Sequence, residues 1–116
     1  QKSNKNLISV LKEDGVKINF IKCGSNKKIM QQREQWTDGA NAFALSPGKI
    51  IGYDCNIHTI SELNKAGYSI ITSKEYINNY KHFNESANKF IIAIKGLELS
   101  RGRGGPRCLT LPLFRI

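Results

Sequence analysis

The sequence predicts a mixed α/β chain, and three observations carry that prediction. Short β-branched runs recur at Val16 to Ile21, Lys49 to Tyr53 and Phe90 to Ile94, with the composition of strands. Between them lie stretches with apolar residues at helical spacing, such as Leu7, Ile8, Val10 and Leu11. Glycine-centred turn signals then separate the two kinds of segment. The pattern reads either as one α/β domain or as one-and-a-half to two ββαβ-type modules of something larger.

Taken in order, Lys5 to Asp14 is expected to be a helix that stops at Gly15. Val16 to Ile21 alternates apolar and polar residues and is expected to be a strand. Gly24-Ser25-Asn26 is a turn, and Lys27 to Trp36 a short helix with Ile29, Met30 and Trp36 as its apolar positions. Asp38-Gly39-Ala40-Asn41 is the next turn signal. Ala42 to Leu45 and Lys49 to Tyr53 flank Pro47-Gly48, which predicts two strands joined by a tight turn.

Thr59-Ile60-Ser61-Glu62 has the spacing of a capping box, so a helix is expected to open there and stop at Gly67. Tyr68 to Thr72 reads as a strand, Ser73 to Phe83 as a helix and Asn84 to Asn88 as a polar linker. Phe90 to Ile94 is a continuous apolar strand. Glu98 and Leu99 begin a short helical turn, and the alternation from Leu109 to Phe114 predicts a last strand.

The 116 residues suit one small domain or a piece of a larger one. Hydrophobic residues make up 40%, too many for a wholly disordered chain. No apolar run has membrane-spanning length, no secretory leader pattern opens the chain, and the first residue is Gln1 rather than Met, which fits a processed, split or truncated product. Three cysteines, Cys23, Cys55 and Cys108, have neither zinc-site spacing nor disulfide-scaffold density, so reduced thiols in a cytoplasmic setting and no metal are expected. A net charge of +9, mostly from scattered lysines, fits either a solvated basic face or attraction to a polyanion.

The segment Arg101 to Cys108 places one cysteine directly after a loop of three arginines and three glycines. Positive charge beside sulfur favours the nucleophilic thiolate, so Cys108 is the candidate nucleophile. Arg103 and Arg107 supply cations, and arginine grips a carboxylate bidentately. A cysteine nucleophile also needs an acid and a base. His58 reads as a helix-start residue and His82 as a solvated one, so neither supplies it. Cys23 and Cys55 read as small apolar fillers at strand ends, and Trp36 as a core anchor. The other reading of Arg101 to Arg107 is a short RGG-like segment that binds RNA.

Two stretches resemble the C-terminal region of arginine deiminases. The first is Arg33-Glu34-Gln35-Trp36-Thr37-Asp38-Gly39-Ala40-Asn41, followed by Ala44, Pro47-Gly48 and Tyr53-Asp54. The second is Glu98-Leu99-Ser100-Arg101-Gly102-Arg103-Gly104-Gly105-Pro106-Arg107-Cys108, then Pro112 and Arg115. Asn56, Thr59, Leu63 and Gly67 fall between them in the expected order. The resemblance covers residues 16 to 115.

It implies a C-terminal part of a five-bladed α/β-propeller, the guanidine-modifying or pentein fold, with residues 1–116 as a fragment of the catalytic domain and 72–89 as an insertion. It implies a hydrolase of arginine metabolism that converts L-arginine to L-citrulline and ammonia without a cofactor. By position in the motif, Cys108 matches the nucleophile that forms a thiouronium intermediate, Arg103 the residue that grips the substrate carboxylate, and Gly102 a glycine whose carbonyl meets the substrate amino group. The family's His-x-Asp pair and two further carboxylates have no counterpart here, and Cys55 stands where arginine is usual. The 116-residue chain alone is therefore expected to be inactive and to need the missing N-terminal part, on the same or a second chain. Open strand edges leave self-association open; neither membrane nor nucleic acid is an expected partner on this reading, with the RNA-binding module as the alternative.

Overall fold

In a computed structural model, residues 6–114 are described; Lys5 of the first expected helix and Arg115 of the second matched stretch lie outside them. Among the described residues one four-stranded sheet organises the chain. Its strands are β1 (Phe43–Ser46), β2 (Lys49–Tyr53), β3 (Ser69–Thr72) and β4 (Phe90–Ile94), in the spatial order β1-β2-β4-β3. β1 and β2 form the expected antiparallel hairpin, with Gly48 at φ 76° in the turn, a conformation that costs glycine nothing. β2 and β3 both run parallel to β4.

β4 is central, and Phe90, Ile91 and Ile92 are all buried. That explains its continuous apolar run, since a parallel strand covered on both faces has no reason to alternate. Ile71, Phe90 and Ile92 form the core, with Ile51 and Ile94 packed against it. The connection from β3 to β4 supplies the rest of that cover. It folds as α4 (Ser73–Asn78) and α5 (Tyr80–Glu85), which bring Tyr76 and Phe83 onto Phe90 with ring centroids 5.9 and 5.4 Å away. Such aromatic pairs contribute about 0.5–1.5 kcal/mol each beyond buried area. Buried Lys49 is accounted for in the same place: its Nζ donates to the Asn84 carbonyl at 2.5 Å and sits over the Phe90 ring.

Four expected elements come out differently. Val16 to Ile21 is not a strand; its backbone finds no neighbouring strand, and Val16, Ile18 and Phe20 stay exposed. Leu109 to Phe114 is not a strand either. The chain there leaves a run of turns, with Cys108 N donating to Gly105 O and Thr110 N to Arg107 O, and Pro112 has no N–H to offer a ladder. The helix expected over Ser73 to Phe83 breaks at Asn79, and its second half extends to Glu85, inside the expected linker. Thr59 does not open a helix. α3 (Ile57–Lys65) begins two residues earlier with Asn56 as its N-cap residue, and the capping box belongs instead to Thr72 and Glu75 at the start of α4.

The N-terminal helix α1 (Leu7–Glu13), the helix α2 (Lys28–Trp36) and a short α6 (Leu97–Arg101) fall where the sequence places them. No helix among the described residues is long and apolar enough to cross a membrane.

Candidate active site

The site lies at the carboxyl ends of the parallel strands β2 and β4, the usual location for ligands on such sheets. Four segments converge there: the turn after α2, the end of β2, the start of the chain after β4, and the arginine-glycine loop.

α2 is anchored by a buried polar cluster rather than by apolar packing. Glu34 is 1% exposed, and its carboxylate accepts three hydrogen bonds from the first turn of α3. Oε1 takes His58 N at 2.8 Å, and Oε2 takes Thr59 N at 2.7 Å and Thr59 Oγ1 at 2.6 Å. Glu34 therefore caps α3 from outside, which is why Thr59 is free to accept from Gly24 N at 2.9 Å. Thr37 and Asn56 add a reciprocal pair, with Thr37 Oγ1 donating to Asn56 Oδ1 and Asn56 Nδ2 to Thr37 O. These bonds fix where α2 ends and so where Trp36, Asp38 and Asn41 are presented.

The loop is fixed from the sheet side by Tyr53, the last residue of β2, which is 1% exposed. Its hydroxyl donates to Gly104 O at 2.9 Å. The ring needs Gly96 beneath it, because any Cβ at that position would overlap the ring atoms. Burial pushes the Tyr53 phenol above its ordinary value, and the negative charges of Asp38, Cys108 and Cys55 add to the effect.

Cys108 is exposed, and its Sγ accepts a hydrogen bond from Asn41 Nδ2 at 3.0 Å. It lines a cleft of about 380 Å³ with Gln35, Asp38, Asn41 and Arg107. A neighbouring cleft of about 620 Å³ is lined by Gln32, Gln35, Trp36, Asp38 and Arg103. Gln35 and Asp38 line both, so the cleft that holds the thiol and the cleft that holds Arg103 share a wall.

Arg103 reaches that position through unusual backbone. Its φ is 64°, and Asp38, facing it across the cleft, has φ 60°. Two side-chain-bearing residues held in the left-handed region at one cleft are the kind of strain found at functional sites. The Arg103 guanidinium carbon lies 4.0 Å from the Trp36 ring centroid. Trp36 is 66% exposed, so it is a platform for a cation and not the core anchor its size suggests.

The arginines do not act as a block. Arg101 is exposed and paired with Glu98 at 2.9 Å, Arg103 is stacked on Trp36, and Arg107 lines the thiol cleft. Gly102 ends α6, next to Arg103. Cys55 is a poor rival for the nucleophile, because burial and then Asp54 push its thiol up. Cys23 is half-buried, with its Sγ 3.5 Å from Thr59 Oγ1. His58 contributes its backbone N–H to Glu34 and His82 is exposed against Phe83; neither lines the two clefts. Among the described residues no group of three or more His, Cys, Asp or Glu is arranged to hold a metal ion.

Sequence reasoning singled out Cys108, Arg103 and Gly102; Cys108 lines one of the two adjoining clefts and Arg103 the other. It missed Asp38, Asn41 and Tyr53, which read only as turn and strand-end residues, although all three lie in the first stretch whose pattern stood out.

The family model for arginine deiminase matches residues 1–115. An arginine deiminase of Mycoplasma capricolum subsp. capricolum is 42% identical over 112 residues, which are 96% of this chain and 23% of that protein. Arginine deiminases of Listeria monocytogenes and Borrelia recurrentis are 41% and 40% identical, over 88% and 87% of this chain and 20% of each relative. The chain thus spans about a fifth of the length of the curated relatives it matches.

Proposed function

The chain belongs to the arginine deiminase family, and from that premise we propose that it is the C-terminal part of a catalytic domain that hydrolyses L-arginine to L-citrulline and ammonia. The observation that carries this reading is the pair of clefts that share Gln35 and Asp38, one lined by the Cys108 thiol and the other by the Arg103 guanidinium stacked on Trp36. L-Arginine has an electrophilic carbon at one end and a carboxylate at the other, and the two ends need opposite partners.

The Cys108 thiolate attacks the guanidinium carbon, and an S–C bond forms. The C–N bond to a terminal nitrogen breaks, and ammonia leaves with a proton delivered to it. Water then adds to the thiouronium carbon, the S–C bond breaks, and citrulline departs as the thiolate is restored. Arg103 grips the substrate carboxylate, with Trp36 behind it to hold its plane, and the Gly102 carbonyl meets the substrate amino group. The proton-transferring histidine and the carboxylates that neutralise the guanidinium belong to the remaining four-fifths of the complete protein, on the same or a second chain.

The four-stranded sheet is then part of a five-bladed α/β-propeller, and residues 72–89 are an insertion that has been recruited into the core through Tyr76 and Phe83. Working with reduced thiols, the enzyme acts in the cytoplasm, and its only small-molecule partner besides water is arginine.

Cys108→Ser in the full-length protein tests the reading. Citrulline formation is expected to be lost while the unfolding curve stays unchanged, because the side chain is exposed. A Ser variant that still makes citrulline removes Cys108 as nucleophile. The 116-residue chain on its own is expected to make none.

A further inference from the structure

Of the three cations of the arginine-glycine loop, only Arg107 lines the thiol cleft. Arg101 is bound to Glu98 and Arg103 to Trp36. What meets Cys108 Sγ is a neutral donor, Asn41 Nδ2, at 3.0 Å across 67 residues of chain.

Three further features build that contact. Asn41 N donates to Asp38 O at 3.0 Å, so the amide side chain leaves a closed turn. Gly105 lies against it so closely that a Cβ would come within 2.5 Å of both Asn41 Cβ and Cγ. The loop is glycine at that point so that its backbone can close onto the asparagine. Tyr53 holds the preceding residue, Gly104, by its carbonyl. Sulfur and amide are therefore fixed toward each other from the sheet, from the turn after α2 and from the loop.

We propose that Asn41 is a catalytic residue whose side-chain N–H holds the Cys108 sulfur and stabilises its thiolate. The proposal rests on the reading of Cys108 as nucleophile. A donor bonds better to a thiolate than to a neutral thiol, because the charged acceptor makes the stronger bond. It acts twice in the cycle. Before attack it raises the fraction of sulfur that is anionic. In the second half, when water has added to the thiouronium carbon and the S–C bond breaks, the electron pair returns to sulfur and the same N–H receives it.

The test uses the full-length protein and iodoacetamide, a neutral alkylator, with the Cys108-containing peptide followed by mass spectrometry. Asn41→Asp keeps the shape but replaces the donor by an acceptor, and Asn41→Ala removes both. At neutral pH alkylation is expected to slow by about tenfold or more in each, the scale of one hydrogen bond to a charged group. The pH profile of alkylation is expected to move up, further for Asp than for Ala. With arginine as substrate, kcat is expected to fall while KM stays within about twofold, since the substrate's carboxylate grip is untouched.

A folded Asn41→Asp protein that alkylates at the wild-type rate with an unmoved pH profile overturns the proposal. If Asn41→Asp does not fold, Gly105→Ala answers instead. Its Cβ displaces Asn41 without changing its chemistry, the same slowing is expected, and a wild-type rate there overturns the idea equally. Cys108→Ser, run in parallel, separates the two levels: citrulline formation by that variant overturns the nucleophile and Asn41's role with it, whereas an inert Ser variant beside a normal Asn41→Asp protein overturns Asn41 alone.

Discussion

Glu34 offers a sharp test of how the site is held. It is buried, and its two oxygens divide three donors unequally: His58 N on Oε1, Thr59 N and Thr59 Oγ1 on Oε2. Glu34→Gln keeps the shape but has only one acceptor. If the carbonyl faces Thr59, an NH2 group is pushed against His58 N–H; if it faces His58, both Thr59 donors lose their partner. Either way a buried donor is stranded, at about 2–3 kcal/mol. Glu34→Ala strands all three and leaves a void, which brings the loss to about 3–5 kcal/mol. Against the roughly 5–15 kcal/mol that holds a domain together, that is a large share. A loss of about 3 kcal/mol multiplies the open population more than a hundredfold. The assay is amide hydrogen exchange of the full-length protein, read by mass spectrometry over residues 57–65. Exchange there is expected to quicken in the order wild type, Gln, Ala, with urea midpoints falling in the same order. Exchange in both variants at the wild-type rate, with urea unfolding free energies within about 0.5 kcal/mol of wild type, refutes the claim that this carboxylate ties α2 to α3.

Trp36→Ala removes the platform under Arg103; because an exposed cation–π contact is worth about 0.5–1 kcal/mol, KM for arginine is expected to rise about two- to fivefold with kcat nearly constant, and Trp36→Phe to recover most of it. An equal fall in kcat with KM unchanged places Trp36 elsewhere in the chemistry. Tyr53→Phe deletes the bond to Gly104 O and is expected to cost about 1 kcal/mol. The same variant has a pH signature. The folded-state phenol is raised above its ordinary 10.0, so the stability it contributes is complete below that pH and is lost as pH climbs through the folded value. The wild-type urea midpoint is expected to decline in strong alkali more steeply than that of Tyr53→Phe, and identical slopes contradict the assignment.

The elements legible in the sequence were those with a local cause. Phe90 to Ile94 is a strand because five apolar residues in a row suit the centre of a parallel sheet, and Pro47-Gly48 makes a turn wherever it stands between two such runs. The expected strands at Val16 to Ile21 and Leu109 to Phe114 have the right alternation, but alternation describes a face and not a partner. Pairing is a non-local fact, and the described chain supplies none. Thr59 failed for the same reason. Its capping-box spacing is genuine, but α3 has already begun at Ile57, and a buried glutamate 25 residues earlier takes the N–H of Thr59 itself. At the candidate site, Cys108 and Arg103 stood out in the sequence because they sit in a glycine-rich loop, and each lines one of the two adjoining clefts. Asn41 did not stand out, since an asparagine after Asp-Gly-Ala is the common currency of turns, and only the fold reveals that it meets sulfur.

The two ends of the sheet are held by different physics, and the difference bears on how the candidate site is positioned. Tyr76, Phe83 and Phe90 fasten the end remote from the clefts by area and shape, which tolerates small displacements. At the site end the fastening is directional: Glu34 to α3, Thr37 to Asn56, Tyr53 to Gly104, Asn41 to Cys108. A hydrogen bond weakens steeply when its angle is lost, so these contacts specify position more narrowly than an apolar patch of equal energy. The nine residues from Arg33 to Asn41 carry both tasks. Their first half enters the buried network through Glu34, and their second half presents Trp36 to Arg103 and Asn41 to the thiol. Because one rigid turn joins the halves, with Gly39 N bonded to Glu34 O at 2.6 Å, a disturbance of the capping carboxylate must be felt at the sulfur as well as in α3.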